Sequence, residues 1–89
     1  MFAKSLSGII LDPSGSKIPK TLVEIVSKDW KTRIDATFTN SNGSFVFAKA
    51  PMGKYFLKLS MSGFDTLLIK VILNKKSKNT LKLHLNPST

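Results

Sequence analysis

His84 is the single histidine of the 89-residue chain, and its acids are only Asp12, Glu24, Asp29, Asp35 and Asp65. Acid–base catalysis needs a titrating group held within hydrogen-bond reach of the proton it moves. Here no two acids lie within four residues of each other, and none shares a motif with His84. A Ser-His-Asp site would have to use His84, and no G-x-S-x-G elbow accompanies it. The stretch Asn40-Ser41-Asn42-Gly43 echoes a calcium loop but lacks its aspartates and its closing glutamate. With no cysteine, disulfides, thiolate metal sites and a cysteine nucleophile are excluded. The expectation is a chain with no catalytic residue, no metal ligand and no cofactor.

Residues suited to recognition are easier to find. Trp30 is the only tryptophan, set among Lys28, Lys31 and Arg33. It reads either as a cap over one end of the core or as a stacking platform for a sugar or a base. Fourteen Lys and Arg against five Asp and Glu give a net charge of +9, which attracts anionic partners. The lysines are scattered, however; only Lys75, Lys76 and Lys78 cluster. No basic run is interleaved with aromatics, so a nucleic-acid partner is disfavoured.

These residues are positioned by strands. Apolar residues alternate over short runs separated by turn residues, and no long window follows the helical period. Seven strands are expected: 4–11, 21–28, 33–39, 44–48, 54–62, 66–73 and 80–86. Val23 and Ile25 share a face of the second, and Ile34, Ala36 and Phe38 alternate along the third. Phe45 and Phe47, then Tyr55, Leu57, Leu59 and Met61, point inward, as do Leu67, Ile69, Val71 and Leu73, and Leu81, Leu83 and Leu85. The segment from Asn40 to Phe64 is expected to close two consecutive hairpins. Ser27 to Arg33 reads as a turn or a brief helical excursion. Seven short strands at this spacing make a β-sandwich or a small barrel, in one domain spanning residues 1–89.

The same alternation sends Leu22, Val26, Phe56, Leu68 and Ile72 toward solvent, with His84. If the apolar ones converge, they form a patch for a neighbouring domain or for weak self-association. Lys58, Lys70 and Lys82 share outward parity and are expected to line up across one sheet. No run approaches the ~18–20 apolar residues of a membrane span. Residues 1–11 contain no continuous apolar stretch typical of a signal peptide.

In order along the chain, several stretches resemble the carboxypeptidase regulatory-like domain. Gly8-Ile9-Ile10 and Asp12-Pro13-Ser14-Gly15 resemble its opening strand and D-x-x-G turn. Ile18-Pro19 and Val23-x-Ile25 follow. Thr39 to Phe47 resembles T-D-x-N-G-x-F-x-F, Pro51 to Leu57 resembles P-x-G-x-Y-x-L, and Ser62-Gly63-Phe64 resembles the S-x-G-F/Y ending. Lys20 stands where the family usually has glycine, and Asn40 where it usually has aspartate. The resemblance implies an all-β, seven-stranded, antiparallel or mixed Greek-key sandwich of transthyretin-like (prealbumin-like) type. It further implies a non-enzymatic accessory module, a spacer or protein-docking domain of a larger extracytoplasmic or cell-surface protein. A starch-binding-like carbohydrate module using Trp30 is the alternative, followed by polyanion binding through the basic surface. B-type repeats of collagen adhesins have a similar sandwich, some with a Lys–Asn crosslink. Lys4 and Asn86 supply the end residues, but Leu59 stands where the required acid is expected.

Overall fold

The computed structural model describes residues 3–88, and among these it contains two sheets and no helix. The strands are β1 (Ala3–Leu11), β2 (Leu22–Val26), β3 (Arg33–Phe38), β4 (Ser44–Pro51), β5 (Gly53–Ser60), β6 (Leu67–Leu73) and β7 (Thr80–His84). One sheet has the order β4-β1-β7 and the other β3-β2-β5-β6. The architecture is the all-β sandwich that the alternation and the resemblance implied. Every pairing is antiparallel except β1 with β7.

The inward sets meet between the sheets. Leu6, Ile10, Phe45 and Phe47 from one side pack with Val23, Ile25, Tyr55, Leu57 and Leu59 from the other, and all are buried. Each such side chain contributes roughly 1.5–3 kcal/mol on burial. Phe45 and Phe47 meet edge to face with ring centroids 5.9 Å apart. The inward residues Leu67, Ile69, Leu81 and Leu83 are only partly buried, because β6 and β7 are edge strands.

Two of the three turns in the Asn40–Phe64 segment do not close hairpins, whereas its Ser62-Gly63-Phe64 end turns the antiparallel β5–β6 hairpin. β3 and β4 lie in different sheets, as do β4 and β5; the segment crosses the sandwich twice. Buried Thr39 fixes the first crossing. Its Oγ1 accepts from Thr21 N at 2.8 Å and donates to Ile18 O at 2.8 Å. That corner carries the chain off the β2–β3 pair. The following turn is held by Asn40 Oδ1, which accepts from Asn42 N and Ser44 N at 2.9 and 3.0 Å. Asp12 Oδ1 accepts from Ser14 N and Ser16 N in the same pattern. A neutral amide oxygen therefore replaces a carboxylate at Asn40 with its hydrogen bonds kept.

The departure at Lys20 has a conformational consequence. Lys20 adopts φ +61°, in the left-handed region where a β-carbon costs roughly 1–2 kcal/mol. Its N–H donates to Thr39 O at 3.0 Å, so the corner holds it there. Glycine relieves the strain but adds entropy to the unfolded chain. Lys20→Gly is expected to stabilise the fold by about 0.5–1 kcal/mol. Urea denaturation reads this directly; an unchanged or lower midpoint would show that Lys20 is not strained.

The crosslink candidates are held apart. In the parallel β1–β7 pair, Ser7 faces Thr80 and Leu11 faces His84. Lys4 precedes this paired stretch while Asn86 follows it, so the two belong to opposite ends. Lys4 Nζ donates instead to Asn74 O and Ser77 O, at 2.9 and 2.8 Å, and ties the β6–β7 loop to β1. Leu59 is fully buried where the acid was required.

Candidate functional site

The outer face of the four-stranded sheet is built by cross-strand register. Directly opposed residues share a face. Phe38 faces Leu22, which faces Ser60; Ala36 faces Glu24, which faces Lys58, which faces Leu68. Val26 faces Phe56, which faces Lys70, and Lys54 faces Ile72. Large apolar side chains thus alternate with lysines across the sheet. Phe38 is 63% exposed, Trp30 50%, Ile72 48% and Leu68 46%.

Trp30 belongs to this face although its loop connects two strands. Trp30 N donates to Ser27 O, and Asp29 Oδ1 accepts from Ser27 Oγ and Lys31 N. The hydrogen bond from Ser27 Oγ holds the Asp29 carboxyl below its usual pKa, helped by that from Lys31 N–H. This tight turn places Trp30 at φ +66°, an uncommon conformation for a bulky residue. The indole stacks on Phe56 with centroids 4.1 Å apart and planes 23° apart. Trp30 therefore lies over the outer face of the sheet rather than capping the end of the core. Ser27–Arg33 forms a turn and extended chain, with no helical excursion.

The outward residues sort differently from simple parity. Phe56, Leu68, Ile72, Lys58 and Lys70 all occupy this face. Lys82 does not: it faces Ile9 on β1, in the other sheet, so the expected strip of three lysines is not formed. Parity assigns a side chain to one of two faces but leaves open which sheet the strand joins. Val26 is buried rather than solvated, yet it lies outside the core cluster. A register shift at Ile25/Val26 and the neighbouring Phe56, itself covered by Trp30, account for its shielding. Leu22 is half-buried beside Phe38. Phe38 was the missed member; its alternation with Ala36 and Ile34 was visible, but only pairing with β2 turns that face outward.

His84 is exposed on β7, opposite Leu11. Among the described residues no group of three His, Asp or Glu side chains gathers to hold a metal ion. A shallow hollow of about 340 Å³ is lined by Ser7, Gly8, Ile9, Ser44, Phe45, Val46 and Thr80, none an acid or an imidazole. Buried Tyr55 Oη has no hydrogen-bond partner, and burial pushes its phenol pKa up, which keeps it protonated. Among the described residues no helix is long and apolar enough to cross a membrane.

Solved structures share this architecture. Over 99% of the chain, a 3-chlorocatechol 1,2-dioxygenase from Rhodococcus opacus superposes with TM-score 0.74 at 10% identity, covering 61% of that protein. A Streptococcal ancillary pilin gives 0.70 at 8% identity, and the major pilin subunit of Bacillus cereus gives 0.69 at 12%. In each pilin the match covers 99% of this chain and 30% of the pilin. The chain thus spans less than two thirds of these relatives, and at such identities the likeness concerns the fold. No curated protein sequence matches the chain. The family model for the carboxypeptidase regulatory-like domain matches residues 5–86, and the chain belongs to that family.

Proposed function

We propose that this domain is a non-catalytic accessory module that docks onto a neighbouring domain or a separate protein, within a larger extracytoplasmic protein. The carrying observation is the gathering of Trp30, Phe38, Leu68 and Ile72 on one sheet face, all about half exposed or more. Isolated exposed hydrophobes are ordinary, but several on one face suit a docking surface. The family and the pilin neighbours, in which this fold is a minor part of the chain, support an accessory role. A carbohydrate platform at Trp30 is less well supported. Asp29, the adjacent carboxylate, is already engaged by Ser27 and Lys31 within its own turn.

The chain itself has no cysteine, so a single one can be placed at a chosen position within it. Leu68→Cys and Val46→Cys would each carry a photo-crosslinker in the protein in its native cells. Val46 is 57% exposed on the opposite sheet and serves as the control. Protein crosslinks are expected from position 68 well above those from 46. Equal yields, or a preference for 46, would discard the docking face.

A further inference from the structure

We propose that the partner surface received by this sheet face is acidic as well as apolar, and that it is not a second copy of the chain. The inference rests on the docking reading and adds the chemistry of the partner. Lys54, Lys58 and Lys70 lie on the face between the apolar side chains, and Arg33 stands opposite Val26 at its rim. Against these four cations the face offers one carboxylate from its strands, Glu24, which is already paired with Arg33 at 3.5 Å, while Asp29 beside Trp30 is held within its own turn by Ser27 and Lys31. The three lysines form no salt bridge with any described residue. An apolar partner without acids would bring these ammonium groups toward a drier contact uncompensated, which costs free energy. Facing carboxylates offset that cost and steer the encounter.

Self-association fails on charge. Two copies face to face would oppose cation to cation. Four strands at ~4.8 Å spacing and about seven residues of length give a face roughly 14 by 20 Å. That is on the order of 300 Å² before side-chain spread, well under the ~800 Å² per partner of a standard stable interface. It suits a tethered or transient contact with an acidic surface.

The test is a ¹H–¹⁵N titration of the full chain with three short peptides. One alternates Glu with Leu and Phe, one replaces its Glu by Lys, and one replaces its apolar residues by Ser. The acidic apolar peptide is expected to shift amides of β5 and β6 around Lys58 and Lys70. Lys58→Glu with Lys70→Glu should weaken it by roughly tenfold, and Trp30→Ala should weaken it without moving its salt dependence. If the basic peptide binds the same face equally, the acidic chemistry is wrong while docking stands. If no peptide shifts the face but a heparin fragment does, both readings fall to polyanion binding. Concentration-dependent shifts of these amides in the free protein would establish self-association and overturn the proposal.

Discussion

Gly43→Ala is expected to destabilise the domain by about 2–4 kcal/mol, through two separable effects. Gly43 sits at φ +70°, where an alanine side chain costs roughly 1–2 kcal/mol. Its missing β-carbon would also fall 2.9 Å from Ile10 O and 3.1 Å from Ile18 N. Those two atoms are partners: Ile18 N donates to Ile10 O at 3.0 Å, while Ile10 N donates to Gly43 O at 2.8 Å. Alanine must therefore loosen the junction of β1, the Ile18 segment and the sheet crossing together. Overpacking of this kind costs about 1–3 kcal/mol. Gly63→Ala isolates the conformational effect, since Gly63 has φ +87° but nothing within 4 Å of its would-be β-carbon. For a domain of this size the Gly43 variant should lose roughly 10–30 °C in Tm. Gly63→Ala should lose about half as much. Equal losses would show that the contact with β1 is not what demands glycine.

This crossing also marks where the sequence stops being informative. The turn itself was legible: Asn40 and Gly43 are the residue types such a turn needs. Its destination was not, because a hairpin and a sheet-to-sheet arch share local chemistry. The difference lies in Thr39, whose hydroxyl reaches residues 18 and 21 positions away. Likewise the outward parity of Phe56, Leu68 and Ile72 was readable two residues at a time, with the period of a strand. Their assembly into one face was not, since it depends on β5 joining both β2 and β6. Lys82 obeys the same parity and lands on the other sheet. Trp30 gave the least away. Its partner Phe56 lies across a strand, and the backbone conformation that brings them together is unusual for tryptophan.

The glycine that closes the other sheet gives the second large effect. Gly8 is buried in the centre of β1, opposite Phe45 on β4 and Leu81 on β7. Glycine weakens a strand interior unless something approaches closely. Here the Phe45 ring does: a β-carbon on Gly8 would stand 2.6 Å from Cε2 and 2.7 Å from Cζ of Phe45, and 2.8 Å from Leu81 O. Gly8→Ala should cost about 3 kcal/mol by forcing the ring or the parallel β7 pairing aside. The two obstacles can be told apart. Phe45→Leu removes the ring atoms, so its combination with Gly8→Ala should be less destabilising than the sum of the single variants. A coupling of about 1 kcal/mol or more is expected from denaturation of all four proteins. The Leu81 carbonyl cannot be removed by substitution, so rescue should be incomplete, and the residual loss should appear as faster amide exchange along β7. Strict additivity would mean that Phe45 is not the constraint. Full rescue would mean that β7 yields at little cost, and that the one parallel pairing of the sandwich adds little to its stability.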